Sequence, residues 1–277
     1  MPVIAPCLLG QTRQEWGGPV LDIHFHPRMQ PDADLAHVDG AGVARAVLLA
    51  PAQAAERTKA NVANHPDRFV WFASANVARS EGIELLRKAA ESGALGFGEL
   101  KSQVAVDGPE MRRVYALAAE FRAPVLLHFQ EVSQPASPGT YNTGIQRLPA
   151  ILKEFRNTTF IGHADAFWAN ISATVPVDDA YPTGSVKPGG LTDRMLADHP
   201  NLYGDLSANS GRNALARDPE FSSAFLARHQ NKLMFGSDCG CQDGRGGGQR
   251  SQAPLIKGKC VARETLTALQ KFTSLEV

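Results

Sequence analysis

Eight short runs rich in Val, Leu, Ile and Phe recur along this chain, at 20–27, 44–50, 69–77, 94–101, 123–129, 158–163, 202–207 and 232–238. Segments of helical periodicity lie between and after them, at 54–64, 81–92, 109–122, 145–155, 191–199, 214–228 and 262–272. Ile83, Leu85, Leu86 and Ala89 make one apolar stripe, and Met111, Val114, Leu117 and Ala118 make another. Strand-length apolar runs alternating with helices require a parallel sheet with crossover helices. Eight such units predict a closed (β/α)8 TIM barrel of the α/β class, an architecture of about 250 residues. An open doubly wound sheet fits less well, because no G-x-G-x-x-G follows an early strand. The chain reads as one domain over 1–277, with 1–18 as an N-terminal arm.

The 28 basic side chains balance 28 acidic ones, so formal net charge is zero. With no extended basic block, nucleic acid and acidic membrane surfaces are poor partners. No apolar run approaches the ~20 residues that cross a bilayer. Residues 1–10 lack a basic n-region and read as a mature arm, which predicts a cytoplasmic protein; an export signal removed earlier stays open. Cys7, Cys239, Cys241 and Cys260 are too few for a disulfide framework, and no C-x-x-C is present. The spacing of Cys239 and Cys241 matches no standard zinc motif, so thiols in a loop without a role are the plainer reading. A small-molecule substrate is the expected partner. Self-association into a homo-oligomer is not readable from the chain.

The chemistry gathers at the ends of the runs. The first ends in His24-Phe25-His26, two histidines two apart, which a strand points to the same side. The fourth ends in Glu99 and Lys101, the fifth in His128, the sixth in His163 and Asp165, the seventh in Asp205 and Ser207, and the eighth in Asp238. In a parallel barrel these groups converge on one mouth, the face where barrel active sites form. Four histidines with two or more carboxylates in one small volume suit a divalent cation.

This ordered set resembles the amidohydrolase superfamily, and within it the amidohydrolase-related, metal-dependent hydrolase branch, over about 20–272. The resemblance implies that His24, His26, His128 and Asp238 are metal ligands. It implies a second-metal or catalytic role for His163, and for Asp238 the role of proton acceptor from the attacking water. Glu99 matches a bridging position that other members fill with glutamate or a carboxylated lysine. Lys101 lies two residues later, and strand geometry leaves open which of the two reaches in. The branch contains hydrolases of amides, esters and lactones, and also non-oxidative decarboxylases. A hydrolase is favoured here, with a decarboxylase of a small carboxylic acid as the alternative. Zinc is the expected metal, with manganese, iron or nickel tolerated; one ion is favoured over two. The chain departs from the family pattern after Phe272, where a short closing helix usually follows.

Three long segments leave the C-terminal ends of runs, at 130–144, 164–190 and 240–249. Long loops there are often lids or binding loops. Phe167, Trp168 or Tyr181 are the expected substrate contacts in the second, with mutual packing as a small satellite cluster the alternative. Lys101, His163, Arg245 and Arg250 are candidates to hold a substrate carboxylate or stabilise an oxyanion, although a solvated face suits the two arginines better.

Overall fold

A computed structural model describes residues 15–30, 32–135, 137–248 and 257–272. Eight parallel strands follow one another around a barrel in chain order. They are β1 (Leu21–Phe25), β2 (Arg45–Pro51), β3 (Phe69–Ser74), β4 (Gly96–Leu100), β5 (Val125–His128), β6 (Phe160–His163), β7 (Leu202–Asp205) and β8 (Leu233–Met234). The (β/α)8 architecture is the one the alternating runs predict.

The apolar runs are nearly continuous because both faces of each strand are covered. The interior of β2 is buried throughout. Val47 and Leu49 join Ile23, Phe72, Leu126 and Ile161 inside the barrel. Leu48, Trp71, Phe97, Leu127 and Phe160 face outward and pack under the helices. Those helices are α1 (Ala33–Ala41), α2 (Ala55–Asn64), α3 (Gly82–Glu91), α4 (Pro109–Phe121), α5 (Leu148–Glu154), α6 (Asp165–Ala169), α7 (Leu191–Asp198), α8 (Ala208–Ala216), α9 (Pro219–His229) and α10 (Val261–Gln270). The predicted stripe of α4 is buried as expected, through Met111, Val114, Leu117 and Ala118.

The structure differs from the sequence expectation at three places. The segment 214–228 is not one helix: α8 ends at Ala216, and α9 begins at Pro219 with the Asp218 side chain accepting from the Phe221 amide. Proline in the first turn and an aspartate cap start a new helix at that point. The helix α1 has no predicted counterpart, because two of its buried residues, Asp34 and His37, are polar and break the apolar stripe. Finally, β8 spans two residues instead of 232–238. From Phe235 the chain leaves the ladder to close the barrel: the Ile23 amide donates to the Phe235 carbonyl at 3.1 Å, and the Asp238 amide to the His24 carbonyl at 2.8 Å.

Residues 1–14 of the arm, Cys7, Arg250 and the C-terminal 273–277 lie outside the described residues. Among those described, no helix is long and apolar enough to cross a membrane.

Candidate metal centre

His128 and His163 are the simplest candidate ligands to derive. Leu126 and Ile161 point into the barrel, so residues two further on face the same way. The two histidines are also partners in the β5–β6 register, and their ring centroids lie 5.4 Å apart.

Glu99 and His24 need a break in alternation. Phe97 and Leu100 both pack outside the barrel, although three residues apart. The β4–β5 register shifts between them. One extra residue on that stretch turns Glu99 inward, where strict alternation from Phe97 would send it out. The same device recurs on β1: Ile23 packs inside, Phe25 outside, and the register shifts between Asp22 and Phe25. His24 therefore faces the lumen, and His26 follows on the same side. Lys101 turns away instead, with its Nζ donating to Ser137 Oγ at 2.7 Å and lying 5.0 Å from the centre of the Tyr141 ring. The structure thus brings Glu99 to the site and commits Lys101 to a loop.

Glu99 sits between two groups of candidate ligands. Its Oε2 lies 3.5 Å from His26 Nε2 and 3.9 Å from His24 Nε2. Asp238 Oδ1 lies at the same two distances from these nitrogens, 3.5 and 3.9 Å. On the other side, Glu99 Oε1 contacts His128 Nδ1 and lies 3.5 Å from His163 Nε2. Both groups are compact enough to share an ion: His24, His26 and Asp238 form one cluster of ligand atoms, and Glu99, His128 and His163 another. All six residues predicted as metal ligands meet in this centre.

The far nitrogen of each deeper imidazole is committed. His24 Nδ1 donates to Asp205 Oδ2 at 2.6 Å. Ser207 Oγ donates to the same oxygen at 2.8 Å and accepts from His163 Nδ1 at 2.9 Å. His128 Nε2 donates to Gln130 Oε1 at 3.1 Å, and the Gln130 amide is held by the carbonyls of Ser137 and Gly139. These partners fix the ring orientation and the tautomer. Asp205 and Ser207 stand at the end of the seventh run, but no motif marks a supporting carboxylate as distinct from a ligand. Gln130 gave no sequence signal at all. Gly236 lets the arrangement close, since a Cβ there would lie 2.4 Å from Asp205 Oδ1 and 2.7 Å from His24 Cβ.

The resulting polarity fits a cation. With its proton on Nδ1, His24 turns the lone pair of Nε2 toward two carboxylates, and that buried nitrogen has no hydrogen-bond partner. His128 Nδ1, with the ring proton on Nε2, likewise meets a carboxylate oxygen. Acceptors facing acceptors are stable only around a proton or a metal ion. Burial disfavours a charged His24, yet Asp205, Asp238 and Glu99 outweigh it and push its pKa up to about 10. Burial raises Asp205 and Glu99, but the surrounding imidazoles more than reverse this and hold both carboxyls well below the usual range. His163 is held down, first by burial and then by His24.

Around the mouth, the aromatic residues of 164–190 divide. Phe167 and Trp168 are fully buried core residues, stacked and edge-packed against Phe129 and Phe225, and Trp168 Nε1 donates to the Asp205 carbonyl at 2.8 Å. They are structural, contrary to the expected substrate contact. Tyr181 stays partly exposed. Its phenol is pushed up to about 12 by burial, and then by Asp165 and Asp238. Arg245 is exposed to solvent. A groove lined by Glu131, Gln146, Asp165 and Asn170 runs beside the centre, and no metal ligand lines it.

No protein-family model and no curated protein matches the sequence. Solved structures do match. The chain is similar to 5-carboxyvanillate decarboxylase from Sphingomonas paucimobilis, with a TM-score of 0.51 at 11% identity over 94% of this chain and 93% of that one. It is similar to a protein from Staphylococcus aureus assigned as an amidohydrolase, with a TM-score of 0.50 at 11% identity over 93% and 92% of the two chains. The shared fold is the (β/α)8 barrel. Dihydroorotase from Campylobacter jejuni shares this barrel, with a TM-score of 0.50 at 13% identity over 94% of this chain and 84% of that one.

Proposed function

We propose that this protein is an amidohydrolase-superfamily enzyme, a metal-dependent hydrolase that cleaves an amide, ester or lactone bond in a small molecule. The observation that carries the proposal is the position of Glu99, with Oε2 directed to His24 and His26 and Oε1 to His128 and His163. A carboxylate so placed suits a centre of two ions, in place of the single ion favoured from sequence. His24, His26, Asp238 and Glu99 Oε2 would hold one, and His128, His163 and Glu99 Oε1 the other. Imidazole with carboxylate suits zinc, and accepts manganese, iron or nickel.

When bound, such ions polarise a carbonyl and lower the pKa of water to about 7. The chain supplies the rest. Asp238 stands at the opening, its side chain 32% exposed, beside His26. It takes the proton from the attacking water and returns it to the leaving group. His163 has its far nitrogen occupied by Ser207, so its role is to hold the second ion. Tyr181, neutral at physiological pH, offers a hydroxyl to the substrate beside Asp238.

A substrate panel of amides, esters, lactones and aromatic carboxylic acids, assayed for both acid release and carbon dioxide, tests the reading. Hydrolysis lost in Asp238→Asn supports it. Carbon dioxide release without hydrolysis would replace it with decarboxylation.

A further inference from the structure

Behind the barrel mouth, His37 of α1 meets three cysteines: Cys239 and Cys241 on the segment after β8, and Cys260, which caps α10. Their ligand atoms all lie within 4.8 Å of one another, and all four residues are buried. From these contacts we propose a second, structural metal site, a closed zinc centre of three thiolates and one imidazole.

Two of the three close separations match a tetrahedral zinc site, and the third is shorter. Zinc–sulfur bonds of about 2.3 Å and zinc–nitrogen bonds of about 2.05 Å give sulfur–sulfur edges of about 3.8 Å and nitrogen–sulfur edges of about 3.6 Å. Cys239 Sγ lies 3.7 Å from Cys260 Sγ and 3.2 Å from Cys241 Sγ, and Cys241 Sγ lies 3.6 Å from His37 Nδ1. These sulfur–sulfur separations are far longer than the ~2.05 Å of a disulfide. They are also spread over three partners, where a disulfide would join two.

Peptide donors reach all three sulfurs. Backbone amides of Ala262 and Cys241 reach Cys239, the Gly246 amide reaches Cys241, and the Arg263 amide reaches Cys260. Peptide N–H groups directed at sulfur stabilise its anionic form. Three thiolates around a divalent ion leave one negative charge. Arg28 stands beside them, buried, with Nη2 donating to the Cys239 and Cys241 carbonyls at 2.5 and 2.9 Å. Among the described residues no carboxylate forms an ion pair with its guanidinium. Asp34 acts on Arg28 at longer range and accepts its backbone N–H at 2.6 Å; a metal–thiolate centre would add a second counter-charge beside the guanidinium.

The site would also brace the catalytic mouth. Cys239 directly follows Asp238, and Arg28 donates through Nη1 to the His26 carbonyl at 2.5 Å. Closing α1, the post-β8 segment and α10 around one ion fixes the backbone that carries two ligands of the first centre.

Cobalt(II) substitution of the full-length protein tests this. Thiolate ligands give a sulfur-to-cobalt charge-transfer absorption in the near ultraviolet that imidazole and carboxylate ligands lack. The band is expected in the wild type, at full strength in Glu99→Gln, and lost in Cys241→Ser and Cys260→Ser together with one equivalent of metal. Native-state alkylation should leave all three cysteines protected until the metal is chelated. Folded, cobalt-loaded wild-type protein without the band would overturn the site, as would a Cys239–Cys241 disulfide in alkylated, unreduced protein.

Discussion

Asp205 on β7 accepts the Nδ1 proton of His24 on β1 at 2.6 Å, across 181 residues of sequence. That bond decides which nitrogen of His24 faces Glu99 and Asp238. Asparagine at 205 is nearly isosteric but can present an N–H to the imidazole and reverse its tautomer. Asp205→Asn is therefore expected to weaken metal binding by about 10–100-fold, with excess zinc restoring part of the activity. Competition against a chelator measures it, and unchanged affinity would mean that Asp205 only fills space.

Metal uptake should release protons. His24 is pushed from an ordinary 6.5 up to about 10 by its carboxylate neighbours, against burial. Being raised, it stabilises the metal-free fold fully below about pH 6.5, and that contribution is lost as pH climbs through about 10. A bound ion takes the place of this proton. Between pH 7 and 9, apparent affinity should rise about tenfold per pH unit for each proton released. Calorimetric titration in buffers of different ionisation enthalpy counts the protons. Binding with no release would show that His24 is neutral in the empty site.

Trp168 belongs to the barrel wall and not to the substrate. Replacing it by alanine removes a buried ring and the bond to the Asp205 carbonyl, at an expected cost of about 3–5 kcal/mol in unfolding free energy. KM should barely change in the fraction that remains folded. Denaturant titration and steady-state kinetics separate the two effects; a stable variant with a raised KM would return Trp168 to the substrate.

The legible part of this chain is whatever repeats along it. Eight apolar runs announced the barrel, and the last residues of those runs announced His24, His26, Glu99, His128, His163 and Asp238. What stayed hidden depends on tertiary contact. Alternation could not choose between Glu99 and Lys101, because they share a face; β4 ends at Leu100, and Lys101 is drawn off by Ser137 and Tyr141. Phe167 and Trp168 looked like loop aromatics because nothing local shows that Phe129 and Phe225 pack against them. His37 and the three cysteines carry no zinc spacing, since α1, the post-β8 segment and α10 come together only in the folded barrel.

Lys101 offers the control for Glu99. Its ammonium is engaged with Ser137 and Tyr141, so Lys101→Ala should keep the full metal content of the wild type. Glu99→Gln should lose at least one equivalent. Elemental analysis of both purified variants checks the pair, and equal losses would point to a shared structural fault.

Glu99 is proposed to join two ions. Manganese(II) suits the histidine–carboxylate ligands and is disfavoured by the thiolate site. Electron paramagnetic resonance of the manganese-loaded protein therefore reports on the barrel mouth. The expected spectrum is the broad signal of an exchange-coupled pair, replaced by an isolated six-line spectrum in Glu99→Gln. An isolated six-line spectrum from the fully loaded wild type would contradict it.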